Sequence, residues 1–136
     1  MAVIHLIRVY DKDEAGDSPR FLVERLWPRG VRRADLRFSE WLKDTAPSNE
    51  LRRWFGHDPQ KWEEFQRRHF AELDRHPEAW RPLREAAIAG AVTLLYSSHD
   101  VEHNNAVALR DYLMTRLEST SSDDLARAAT HLRSPE

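Results

Sequence analysis

VIHLIRVY, residues 3–10, is the feature that most constrains the fold. It is rich in β-branched residues and nearly apolar throughout, without the alternation that marks a strand with one wet face. Such a strand is expected to be covered on both faces, as in a parallel sheet inside a layered domain. AVTLLYS, residues 91–97, is the strongest strand signal in the chain, and FLVERLW, residues 21–27, reads as another. Pro28 excludes the α region for Trp27, so the chain should stay extended there. Pro28 suits the first central position of a tight turn, and Gly30 suits its end.

Helical patterns fill the middle of the chain. Phe38, Trp41 and Leu42 fall at i, i+3 and i+4 and predict a helix within residues 35–46. Ser48 is the expected N-cap of a helix whose apolar face is Leu51, Trp54 and Phe55 and whose stop is Gly56. Asp58 and Pro59 open a third, with a stripe of Trp62, Phe65, His69 and Leu73 beside Phe70. Residues 76–90 carry Trp80, Leu83 and Ala87, with Pro82 predicting a late start. Residues 102–118 are the strongest helix, with Ala106, Leu109, Leu113 and Leu117 in register. The tryptophans at helical spacing read as core, not as a base-stacking platform. The order β, β, several α, β, α predicts an α/β domain with a small, mainly parallel sheet of three or four strands. One domain is expected over residues 1–118. Residues 119–136 read as a linker and a short C-terminal helix or disordered tail.

Composition narrows the function. The chain has 136 residues, 32% of them charged, and a formal net charge of −2, which gives no whole-molecule case for nucleic acid or membrane. It has no cysteine, which excludes disulfides, iron–sulfur clusters and thiolate chemistry. The N-terminus lacks the basic region of a signal peptide, and no apolar run is long enough to cross a bilayer. A soluble cytoplasmic domain is the expectation.

RVYD, LVERLWPRG, WLKDTAPSNELRRWFGHDPQKWEEF and TLLYSSHDVEHNNAVALRDYL occur in one order between Val3 and Leu117. Together they resemble the YeaO-like family of uncharacterised bacterial proteins, domain of unknown function 488. The resemblance implies a compact bacterial α/β domain and no particular reaction. The chain departs from the family pattern in carrying Glu24 for a common aspartate, Arg33 for a lysine, Asn49 for a small hydroxyl residue, His69 for a tyrosine and His99 for a lysine.

Three stretches concentrate chemistry. The first is Arg25, Trp27, Pro28, Arg29 and Gly30, at the end of an apolar strand, where open α/β sheets bind ligands. Arg29 on a rigid turn can hold a carboxylate or phosphate at two points. The second is the helix start at Ser48 and Asn49, where free backbone N–H groups favour an anion, with Lys43, Arg52, Arg53 and His57 nearby. The third is SSHDVEHNNA, residues 97–106, between the best strand and the best helix. There Asp100 and His103 are the candidate acid/base pair, with Asn104 and Asn105 to orient a ligand. The same stretch spells H-x-x-E-H from His99 to His103, a zinc-peptidase string. Such motifs lie within a helix and need a further ligand from a later helix, so no metal is expected here.

The leading expectation is therefore a small anionic ligand, a nucleotide or other phosphate-bearing metabolite, bound with or without hydrolysis. Arg8, Arg25 and Arg29 would supply positive charge, and Tyr10 and Asp11 would line the same crevice. No cofactor is indicated. The alternative is a non-catalytic module that binds protein or nucleic acid through the arginine- and tryptophan-rich helices between Arg52 and Arg84. A structural dimer joined through the tryptophan face is a third, and the sequence does not fix the oligomeric state.

Overall fold

The computed structural model describes residues 2–11 and 16–117. Its centre is a parallel sheet of four strands: β1 (Ile4–Arg8), β2 (Arg20–Leu22), β3 (Glu40–Trp41) and β4 (Val92–Tyr96). The spatial order is β1-β4-β2-β3. β4 is the last strand among the described residues, yet it lies between the first two. It pairs Leu6 with Leu94 on one side and Phe21 with Leu94 on the other. That central position explains its composition, since all five residues are buried. All carboxyl ends therefore lie along one edge of the sheet.

Among the described residues four α-helices accompany the sheet: α1 (Asn49–Phe55), α2 (Trp62–Arg75), α3 (Pro77–Ala89) and α4 over residues 105–117. The main core joins Val92, Leu94 and Tyr96 of β4 to Leu73 of α2, Leu83 and Ala87 of α3, and Leu109 and Leu113 of α4. A second cluster packs Leu51 and Phe55 against Phe65 and Ala108. Among the described residues no helix is long and apolar enough to cross a membrane.

Local signals were faithful where a cap is a short-range device. Ser48 Oγ accepts from the Leu51 amide, and Gly56 ends α1 in the left-handed region at φ 55°. Asp58 accepts from the Gln60 amide, although the first turn that follows, Pro59–Lys61, is 3₁₀. Four expectations need correction. β1 is an edge strand and only half-buried, with His5 exposed, because β4 pairs with it on one side only. Residues 35–46 form no α-helix. Glu40 and Trp41 pair with Phe21 and Leu22, and only a 3₁₀ turn, Lys43–Thr45, follows. Pairing with an open sheet edge outweighs the helical spacing of three apolar side chains. Pro82 does not delay α3, which starts at Pro77. Trp41, Trp54 and Trp62 are half-buried, not enclosed. The expected C-terminal helix and linker lie outside the described residues.

Candidate functional site

The site begins where β2 and β4 part. Val23 still donates to the Leu95 carbonyl at 3.1 Å. The next ladder bond would join the Ser97 amide to the Val23 carbonyl. Instead Ser97 N–H donates to Glu24 Oε2 at 3.0 Å, and Asn105 Nδ2 donates to the Val23 carbonyl at 2.7 Å. Two side chains thus replace one main-chain bond, and the strands splay. This is why β2 ends at Leu22 and not at Trp27. Burial pushes the Glu24 carboxyl above its ordinary range, against the pull of the Ser97 amide and hydroxyl and of Arg52.

The Trp27–Gly30 turn closes one later than its proline implied. The Val31 amide donates to the Pro28 carbonyl at 3.4 Å, so Arg29 and Gly30 are the central residues. Gly30 has φ 79°, the conformation required at the third position of a type II turn. Trp27 is a brace. Its indole N–H donates to the Val31 carbonyl at 2.6 Å, and its ring meets Phe38 and Trp41 edge-on. Tyr10 ties the turn to β1 by donating its hydroxyl to the Arg29 carbonyl at 2.7 Å. The main chain of Arg29 is therefore fixed on two sides. Its guanidinium is exposed and makes no hydrogen bond or ion pair among the described residues. Across from it, Arg8 donates to the Ser98 carbonyl at 3.0 Å and to His99 Nδ1 at 2.9 Å, lies 3.6 Å from Asp11, and stacks on the Tyr10 ring. Because arginine only donates, His99 Nδ1 accepts there.

Two hollows meet at this edge. The outer one, of about 450 Å³, is lined by Arg8, Tyr10, Trp27, Arg29 and His99. The inner one, of about 220 Å³, has Pro47, Phe55 and Phe65 among its apolar lining and Ser98, His103, Asn104 and Asn105 among its polar lining. Glu24, Arg52 and Ser97 line both.

The structure brings together Arg8, Tyr10, Trp27 and Arg29 in one hollow and His103, Asn104 and Asn105 in the other. The remaining candidates sit elsewhere. Asp11 and Asp100 line neither. Asp100 Oδ1 accepts from the Glu102 and His103 amides, and its Oδ2 lies 3.0 Å from His103 Nδ1. The Glu102 amide, with those His103 contacts, holds this carboxyl below its ordinary range. Asp100 is thus a fixed anion that orients His103 and leaves Nε2 as the free ring nitrogen. Asn104, not Asp100, caps α4, through Oδ1 to the Val107 amide at 3.0 Å.

Arg25 lines neither hollow and is engaged within the fold. Its Nε donates to the Pro47 carbonyl at 3.0 Å and its second terminal nitrogen to the Ala46 carbonyl at 2.9 Å. Ser48 already has its anion: its amide and hydroxyl donate to the two Glu72 carboxylate oxygens at 2.9 and 2.6 Å. Two arginines of the arginine-rich helices, Arg67 and Arg68, are matched internally. Arg67 and Arg68 hold the Glu64 carboxyl down to about 2, and Arg68 covers the Trp54 ring at 4.2 Å. The H-x-x-E-H string does not converge: His99 faces Arg8, and His103 faces Asp100. Among the described residues no group of three histidine, aspartate or glutamate side chains could hold a metal ion.

The family description of an inactive DUF488-N3 subclade matches residues 3–132. The chain belongs to the DUF488 family. The match runs past Leu117, the limit drawn from the motifs alone. The uncharacterized protein YeaO of Escherichia coli K12 is 41% identical over 106 residues, which cover 78% of this chain and 92% of YeaO. The uncharacterized protein Rv3073c of Mycobacterium tuberculosis H37Rv is 36% identical over 113 residues, 83% of this chain and 95% of the relative. No solved structure matches. Within this DUF488 chain, Glu24 and Arg52 are the residues at the meeting of the hollows whose joint place the sequence reading missed. The signal for Glu24 was present, as a lone carboxylate inside the apolar run FLVERLW.

Proposed function

We propose that this DUF488 protein binds a small phosphate-bearing anion in the outer hollow, between Arg8 and Arg29. The observation that carries the reading is the Arg29 turn. Its backbone is held by Pro28, Gly30 and the Tyr10 hydroxyl, while its guanidinium has no partner among the described residues. A planar donor fork on a fixed base suits two-point recognition of a phosphate. With the main chain already held, the ordering cost on binding is confined to the side chain, which favours affinity. Arg52, also exposed at the rim, adds positive charge.

The reading is binding without turnover. The subclade is described as inactive, and Asp100, the expected acid/base partner, is tied into its own turn. Recognition of nucleic acid by the arginine-rich helices has less support, because Arg67 and Arg68 already face Glu64.

The test is thermal unfolding with ribose 5-phosphate or ribose. Ribose 5-phosphate should raise the melting temperature by mass action, keep most of that effect in 150 mM salt, and leave ribose without effect. Equal shifts from both sugars, or none, would contradict the reading. Stabilisation by DNA that collapses with salt would favour the nucleic-acid alternative.

A further inference from the structure

Resting on the anion reading, we infer that the ligand is a mononucleotide that spans both hollows, its phosphate on Arg8 and Arg29 and its base in the inner hollow, with Glu24 selecting bases that present N–H donors.

Continuity is the first ground. Glu24, Arg52 and Ser97 line both hollows, so the two are compartments of one crevice and not separate sites. Their chemistry differs. The outer compartment carries Arg8 and Arg29. The inner one is narrower, and its apolar side chains include Phe55 and Phe65, whose rings stack at a centroid distance of 4.3 Å. At about 220 Å³ it is smaller than the roughly 300–1,000 Å³ of a site that takes a whole drug-sized molecule. It suits one flat ring system joined to something outside. A ring with an apolar face and a polar edge matches an aromatic wall opposite serine, histidine and asparagine side chains.

Glu24 supplies the selectivity. It lines the inner hollow as well as the outer one, so its carboxyl can face the edge of a base lodged there. One of its oxygens accepts from the Ser97 amide at 3.0 Å. A carboxylate has about four lone-pair positions, so acceptor capacity remains for a ligand. It suits a base edge with adjacent N–H donors, as in guanine, better than one where a ring acceptor faces it, as in adenine. Among the described residues Glu24 is the only acidic side chain that lines either hollow. Asn104 is committed to the Asp100 carbonyl and the Val107 amide, and Asn105 Nδ2 to the Val23 carbonyl.

Calorimetric titration of the full chain with GMP, AMP, ribose 5-phosphate and inorganic phosphate tests this. GMP should bind at least tenfold more tightly than ribose 5-phosphate, with AMP between them. Glu24→Gln should keep the ribose 5-phosphate affinity and reduce the preference for GMP over AMP to less than about threefold. Because Glu24 also closes the splayed strands, Glu24→Asp serves as the variant that keeps the acceptor, and it should retain the GMP preference. Equal affinity for GMP and ribose 5-phosphate in the parent would remove the base from the inner hollow while leaving the anion reading intact. AMP binding as tightly as GMP would remove the role of Glu24. If none of the four binds, the anion reading fails and this inference falls with it.

Discussion

Two stretches, residues 45–48 and residues 27–30, behave in opposite ways. Each lies by a parallel strand, contains a proline and is served by an arginine from the β2 extension. Around 45–48 the described polar groups are matched within the fold, His69 Nδ1 excepted. Arg25 reaches the Ala46 and Pro47 carbonyls, Ser48 meets Glu72, and His69 Nε2 donates to the Thr45 carbonyl at 3.0 Å. Around 27–30 the backbone is equally fixed, yet the guanidinium it carries makes no hydrogen bond or ion pair among the described residues. Arg25 and Arg29 are four residues apart. One is a clamp and the other is available. The difference is that the Ala46 and Pro47 carbonyls lie within reach of Arg25, while nothing among the described residues engages the Arg29 guanidinium.

The largest expected effect sits at His69, inside the matched region. Its Nε2 must carry the proton to donate to a carbonyl, so Nδ1 is a buried lone pair with no partner. Protonation would place a charge in the core, and burial lowers this histidine from 6.5 to about 4. A depressed histidine stabilises the fold fully above pH 6.5 and loses that contribution as pH falls from there through about 4. The difference is worth on the order of 3 kcal/mol. Denaturant unfolding from pH 7 to pH 4 should therefore fall more steeply for the parent than for His69→Phe. Parallel curves would show that His69 is not dry.

Arg25→Ala should cost somewhat less, roughly 2–3 kcal/mol, for lost charged hydrogen bonds to two carbonyls. Arg25→Lys should not restore it, since one ammonium lacks the guanidinium fork. A neutral result in urea unfolding would erase the contrast between the two arginines. Ser48→Ala comes next, at about 1 kcal/mol for a lost N-cap. Because Ser48 also faces Glu72, Ser48→Ala combined with Glu72→Gln should cost less than the two single changes added together. Strict additivity would show that Ser48 serves only as a helix cap.

Much of this contrast was legible in advance, and the reasons are physical. Caps and stops depend on two or three adjacent residues, so Ser48, Asp58 and Gly56 could be read directly. A fully buried strand needs an unbroken apolar run, so β4 could be read too. The parallel sheet and the placing of Arg29 beside Arg8 and Tyr10 followed from strand ends sharing an edge. Residues 35–46 could not be read, because β3 exists only through its partner. Nor could the sequence tell Arg25 from Arg29, since the carbonyls that occupy Arg25 lie 21 and 22 residues away. Glu24 was hidden for the same reason: its partner, the Ser97 amide, is 73 residues on.

The account rests on Arg29 having a fixed main chain and a guanidinium with no partner among the described residues. Arg29→Ala should leave stability within about 0.5 kcal/mol of the parent, as for a surface substitution with no partner. The direct measurement is calorimetric titration of ribose 5-phosphate into the parent and into Arg29→Ala, with urea unfolding of both. The account expects affinity to fall by roughly tenfold or more, as for a lost charged hydrogen bond of about 1.5–3 kcal/mol, with unchanged unfolding. Undiminished affinity in Arg29→Ala would contradict it.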